Sequence, residues 1–99
     1  MRSVFGAAGH RIEIRCGGVL VDEAVRPVSL SGLAVLQVLA ARRGNVVARD
    51  DLLQVLPGKT NSTHAVEAAV ARLRTALGDK RIIATVVKRG YRLAVDEAR

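Results

Sequence analysis

Apolar and polar positions change period several times along the chain. His10 to Cys16 (HRIEIRC) sets Ile12 and Ile14 against Arg11, Glu13 and Arg15, a period of two that predicts a strand covered on one face. Gly17 and Gly18 supply a turn. Val19 to Val21 and Val25 to Val28 read as two more short strands around an Asp22-Glu23 turn, with Pro27 placed at an edge where no ladder donor is required. A further strand or a linker precedes them near Arg2 to Phe5, so the first third is expected to be a small antiparallel sheet.

The period then becomes helical. Ser29 or Ser31 can cap a first helix, because a side-chain oxygen satisfies a free amide of the first turn. Leu33, Leu36, Ala40 and, more to one side, Leu39 form its apolar stripe through about Arg42. Gly44-Asn45 stops it, and Val46-Val47 makes an extended link. Arg49 to Val55 reads as a second helix with Asp50 and Asp51 at its positive end, closed by Pro57-Gly58. After a polar connection from Lys59 to Ser62, with Asn61, Ser62 or Thr63 as cap, a third helix runs over 63–78 (THAVEAAVARLRTALG). Val66, Val70, Leu73 and Leu77 recur at four, three and four residues and fall on one inward stripe.

Gly78 is the stop signal. Ile82 to Val86 and Tyr91 to Val95 have strand composition, and Gly90 between them permits the positive backbone angles of a tight reversal. The expected fold is α+β: an N-terminal antiparallel sheet in 1–28, then three helices and a C-terminal β-hairpin in 29–99, within one domain. Helix, strand, basic turn and strand in that order make a winged helix-turn-helix.

Composition narrows the function. At 99 residues and nearly half apolar, the chain has room for one core and not for a multidomain enzyme. Its formal charge of +7 attracts polyanions, since Lys and Arg displace counterions condensed on phosphate backbones. Phe5 and Tyr91 are the two aromatic residues, which disfavours single-strand binding by base stacking and favours duplex DNA. Cys16 has no partner for a disulfide or metal site and reads as a small strand residue. No apolar run spans a membrane and no signal peptide is evident, so a cytoplasmic location without membrane contact is expected. No acid-base pair, nucleophile, metal-ligand spacing or phosphate-binding Gly loop stands out, so neither enzymatic activity nor a cofactor or metal is expected.

With its apolar stripe inward, the third helix turns His64, Ala68, Ala71, Arg72 and Thr75 outward, with Ala65 and Arg74 toward the flanks. The major groove, about 12 Å wide, accepts one helix; small residues let its backbone approach the bases, and Arg can donate twice to guanine. Arg72 is the first candidate for base reading. An ordinary exposed helix face would also hold Arg and Ala, both good helix formers. The basic turn immediately downstream tips the balance toward DNA, because Lys88 and Arg89 occupy a turn that needs no charge for folding. Arg89 is expected to reach deepest, onto phosphates or into a minor groove. His64 can donate to a phosphate or base, or stand as a polar residue near a cap. His10 receives no role.

The ordered pieces from Val28 to Val95 resemble the DNA-binding effector domain of the OmpR/PhoB response-regulator family. Val46-Val47-Ala48-Arg49-Asp50-Asp51-Leu52-Leu53 is similar to its second-helix entry, V-V-S-R-E-x-L-L. Val66-Glu67, Val70-Ala71-Arg72-Leu73-Arg74 and Leu77-Gly78 resemble V-D-x-x-I-x-R-L-R-x-x-L-G, and Thr85-Val86 with Gly90-Tyr91-Arg92-Leu93 resemble the wing T-V-R-G-x-G-Y-R-L. The resemblance implies a four-stranded N-terminal sheet, three helices and a hairpin, and a bacterial transcription regulator that binds double-stranded DNA. It also implies tandem or paired binding, and contact with RNA polymerase through 57–62.

The departures bear on function. His64-Ala65 stands where the family commonly has Arg-Thr, Val87 where it has the wing arginine, and Leu56 where a tryptophan is common. The phosphorylated receiver domain has no counterpart in this sequence. The stretch from Val86 to Leu93 is also similar to the winged helix that trails uroporphyrinogen-III synthase-like domains in some actinobacterial proteins, which implies a parent chain with a separate synthase-like domain. The alternative to DNA binding is a docking module: Ala65, Ala68 and Ala71 offer few hydrogen bonds and could pack on a protein partner.

Overall fold

Four short strands, β1 (Ser3–Ala7), β2 (His10–Arg15), β3 (Gly18–Val21) and β4 (Ala24–Arg26), pair antiparallel in chain order. The structure is a computed structural model that describes residues 3–16, 18–58 and 63–96. Ile12 lies between Phe5 and Val21, and Ile14 between Ser3 and Val19. Ala7, Ile12, Ile14, Val19 and Val21 are consequently buried on one face, as the period of two requires. Of the segment expected near Arg2 to Phe5, the described part, from Ser3, belongs to β1, a strand and not a linker. β4 is shorter than Val25 to Val28: after Pro27, which lacks a donor, the Val28 amide turns back to the Arg26 carbonyl at 2.9 Å.

Glu13 points to the other face, yet is only 4% exposed. Arg15 donates to it from Nε, and Arg11 Nη1 lies 3.5 Å away. The two long side chains cover the carboxylate between them, so burial here comes with charge compensation.

α1 (Leu30–Ala41) is capped by Ser29, not Ser31: the Ser29 hydroxyl accepts the Gly32 amide at 3.1 Å. Its buried residues are Gly32, Val35, Leu36 and Leu39, while Leu33 and Ala40 are half-buried. The stripe is thus rotated from the expected one. α1 meets α3, α2 and the last strand, and Gly32 allows close approach, since a Cβ there would lie 3.4 Å from Leu73 Cδ1 and 3.0 Å from Val28 Cγ1. α2 (Arg49–Val55) carries Asp50 and Asp51 in its first turn, where the helix dipole favours negative charge. α3 (Thr63–Leu77) buries Val66, Ala69, Val70, Leu73 and Leu77. The expected α3 cap at Asn61, Ser62 or the Thr63 side chain, and the connection over 59–62, lie outside the described residues. Among the described residues, no helix is long and apolar enough to cross a membrane.

Past α3 the expected strands are shortened. Gly78 stops the helix at φ +86°, Asp79 caps a 3-10 turn over Lys80–Ile82 by accepting the Arg81 amide at 2.9 Å, and β5 begins only at Ile83. β5 (Ile83–Val86) pairs with β6 (Gly90–Leu93). Val95 leaves the hairpin and bridges to Ala7.

Gly90 is not the reversal itself. Lys88 takes the left-handed turn position at φ +64°. At Gly90, φ is +143° and an added Cβ would stand 2.0 Å from the Val47 carbonyl oxygen. Immediately beyond it, Tyr91 and Val47 exchange backbone hydrogen bonds of 3.0 and 2.8 Å. The extended link between α1 and α2 thereby becomes a partner of β6.

His10 joins the sheet to the end of α3. Its Nδ1 lies 2.6 Å from Asp22 and its Nε2 2.9 Å from Asp79. A neutral imidazole can donate from only one nitrogen, so two carboxylates favour the protonated ring. The hydrogen bond to Asp22, then that to Asp79, raises its pKa above 6.5. Asp22 is held below the usual carboxylate value chiefly by His10 and then by the Arg11 amide, and Asp79 chiefly by the Arg81 side chain and amide and then by His10.

Two outcomes follow from this architecture. Gly90→Ala should destabilise the domain by at least about 2 kcal/mol in a denaturant titration; a near-neutral result would mean that β6 does not press on Val47. The His10 contribution to stability is complete below its ordinary pKa of 6.5 and is lost as pH rises through the raised folded value. The Asp22 and Asp79 contributions are complete above 3.8 and are lost as pH falls through their depressed values. The melting-temperature gap between the parent and His10→Gln should therefore be widest at about pH 5 to 6 and shrink toward about pH 9. A gap that stays constant across that range would rule out the charged bridge.

Candidate nucleic-acid interface

The inward packing of α3 determines what it presents. Ala71, Arg72 and Thr75 are exposed, Ala68 is half-buried, and the His64 side chain is 90% exposed with its Nδ1 3.7 Å from Glu67 Oε2. Ala65 is half-buried against the core. The Thr75 hydroxyl donates back to the Ala71 carbonyl at 3.2 Å, which fixes its rotamer on the helix surface. Arg72 is the long cation in this outward set. Among the described residues it makes no ion pair.

Arg74, expected on the flank of the same surface, is drawn into the seam between α3 and β5. Its Nε and Nη2 both donate to the Ile83 carbonyl, at 3.0 and 2.7 Å, and Nη2 also donates to Thr85 Oγ1 at 2.9 Å. The guanidinium carbon stands 5.8 Å from the centre of the Tyr91 ring, and that of Arg49, the first residue of α2, stands 5.7 Å from it. Both distances lie within reach of a cation–π attraction. Tyr91 thus gathers α2, α3 and β6 at one point, and Arg74 adds β5.

The hairpin turn itself projects outward. Val87 is 77% exposed and Lys88 and Arg89 are exposed; among the described residues neither cation is ion-paired. Arg92, one strand position beyond Tyr91, instead donates from Nε to the Gly44 carbonyl at 2.9 Å and ties β6 to the end of α1. The structure therefore brings an outward α3 face and a basic hairpin turn onto a common frame, with Arg74 as part of the frame.

Residues 26–93 match the family described as transcriptional regulatory protein, C terminal. The chain belongs to that family. The solved structures most informative for it include the Klebsiella pneumoniae RstA DNA-binding domain in complex with the RstA box, at 28% identity, TM-score 0.77, and coverage of 94% of this chain and 96% of that one. The DNA-binding domain of Escherichia coli CadC matches at 30% identity, TM-score 0.63, covering 86% and 79%. Thermotoga maritima DrrB, an OmpR/PhoB homologue, is 23% identical with TM-score 0.77 over 92% of this chain and 44% of that one, and shares the fold. No curated protein matches the chain significantly. The domain is thus of the OmpR/PhoB winged-helix type, as its helix and wing motifs indicated.

Three side chains escaped the sequence reading. His10 showed only as one member of an alternating strand; nothing local foretold that Asp22 and Asp79 meet on it. Arg49 carried a family motif but no sign of its proximity to Tyr91. Arg26, beside Pro27, had no pattern at all. Replacing Arg74 with Ala removes the hydrogen bonds it donates to the Ile83 carbonyl and Thr85 Oγ1, which should cost about 1 to 3 kcal/mol. Amide exchange should quicken in β5 and β6 while α1 stays protected. Unchanged exchange in the hairpin would show that Arg74 does not hold it.

Proposed function

We propose that this chain is the duplex-DNA-binding effector domain of a transcription regulator, with α3 in the major groove and 87–90 on the adjacent backbone or minor groove. The observation that carries this reading is the disposition of its cations. Arg11, Arg15, Arg74, Arg81 and Arg92 have partners within the fold, whereas Arg72, Lys88 and Arg89 stand exposed on α3 and the hairpin turn, with Arg42, Arg43 and Lys80 exposed elsewhere. Positive charge placed where folding does not use it is charge available to a phosphate backbone.

Within this assignment Arg72 reads a base, Ala68 and Ala71 allow close approach, and His64 and Thr75 contact phosphate or base edges. Lys88 and Arg89 neutralise phosphates, Arg89 reaching deepest. Arg74 supports the contacts by fixing the hairpin against α3. Two copies on adjacent half-sites would raise the effective concentration of the second, and 57–62 between α2 and α3 is assigned to RNA polymerase. A synthase-like domain on a longer parent chain would leave this role unchanged, because any catalysis would lie in that domain. A cytoplasmic location accords with the role.

Fluorescence anisotropy with a labelled duplex across a salt series tests the proposal. Arg72→Ala should weaken specific binding about 5- to 150-fold and flatten discrimination between duplexes. Lys88→Ala and Arg89→Ala should each weaken all duplexes alike and reduce the slope of log affinity against log salt by about 0.9. No binding at low salt, or a triple variant that binds as the parent does, would overturn it.

A further inference from the structure

Arg26, the last residue of β4, reaches the carboxyl end of α3. A Cβ built on Gly78 would lie 3.0 to 3.1 Å from its Nη2, Cζ and Nη1. The partial negative charge of a helix C-terminus explains why a guanidinium is drawn there. Among the described residues, its Nε is buried without a hydrogen-bond partner. The acid that feels its charge, Asp22, is already bonded to His10 and to the Arg11 amide.

Beside Arg26 runs a shallow groove of about 540 Å³, lined by Arg26, Pro27, Ala71, Arg72, Thr75 and Ala76. Pro27, Ala71 and Ala76 line it with small apolar groups, and the guanidiniums of Arg26 and Arg72 border it; the Thr75 hydroxyl already donates to the Ala71 carbonyl. Ala71, Arg72 and Thr75 also belong to the outward face of α3, so the groove continues that face. It lies on the flank away from the wing: Arg72 and Arg74 are about 200° apart around the helix, and Arg74 is turned to β5.

We infer that this groove seats a backbone phosphate of the DNA strand bordering the major groove opposite the wing, held by the Arg26 guanidinium, while Arg72 at the groove's other edge is directed to a base. The inference rests on the DNA-binding reading above and adds to it a contact from the N-terminal sheet. Guanidinium suits the position because its planar fork meets phosphate oxygens in pairs. The DNA is thereby held on both flanks of α3, by the hairpin turn on one and by Arg26 on the other.

The test is the salt dependence of duplex binding by Arg26→Gln, with folding followed by circular dichroism because Arg26 also faces the end of α3. One phosphate contact fewer should make the log–log slope shallower by about 0.9, so that the parent's advantage shrinks about 3.5-fold between about 50 and 200 mM salt. The loss should be the same for different duplex sequences, since phosphates carry no base information, and Arg26→Lys should retain the parent slope. A second measurement uses the unaltered chain: the Arg26 Nε–Hε resonance should shift when duplex DNA is added. A folded Arg26→Gln with the parent slope, or an unmoved resonance, would overturn the inference while leaving the DNA-binding reading intact. Absence of parent binding at low salt would remove both.

Discussion

The backbone of Tyr91 lies directly against that of Val47, and the functional half of the molecule depends on this approach. The reciprocal hydrogen bonds between them are possible only because Gly90 has no side chain to meet the Val47 carbonyl. Once that contact is made, the link between α1 and α2 is no longer a loose connection but an edge of the hairpin. The Tyr91 ring is then placed near Arg49 and Arg74, and Arg74 spans from α3 to β5. The position of the hairpin relative to α3 follows from one chain-to-chain contact and the side chains it brings together.

Charge needs to be considered by location as well as by sum. The formal +7 describes an attraction to any polyanion, but much of the positive charge is spent on folding. Arg11 and Arg15 shield Glu13, Arg81 faces Asp79, and Arg74 and Arg92 bind carbonyls. These groups make the scaffold tolerant of acids inside or near its core. Of the exposed cations outside that network, Arg72, Lys88 and Arg89 lie on α3 and the hairpin turn, and Arg42, Arg43 and Lys80 lie at the end of α1 and in the 3-10 turn.

Much of this was legible in the residues. The alternation around Ile12 and Ile14, the spacing of Val66, Val70, Leu73 and Leu77, and the stop at Gly78 predict elements that the structure contains, because each depends on a short local period. α2 falls where its motif and acidic first turn place it. The errors have a different origin. α1 is apolar on several sides, so its sequence could not indicate which neighbours would cover it, and the stripe came out rotated. Ile82 to Val86 have strand composition, but the Asp79 side chain captures the Arg81 amide and draws Ile82 into a tight turn. Arg74 had the charge and spacing of an outward contact; only the proximity of the Ile83 carbonyl, a tertiary fact, draws it into the seam. Gly90 was legible as a special position for the wrong reason, since a turn glycine and a glycine under a neighbouring carbonyl look alike in sequence.

The alanines on the outward side of α3 have a final consequence. Ala68 and Ala71 have no side-chain rotamers to freeze when the surface is covered, so docking sacrifices little conformational freedom there. They also offer no donor or acceptor that could reject a mismatched base. A surface of this kind settles readily on many sequences, and one well-placed arginine improves the odds for the correct one by only about 5- to 150-fold. Against about a million or more competing sites in a genome, a single copy carries too little information to choose an address. On the proposed paired binding, selectivity would come from counting repeats in the DNA.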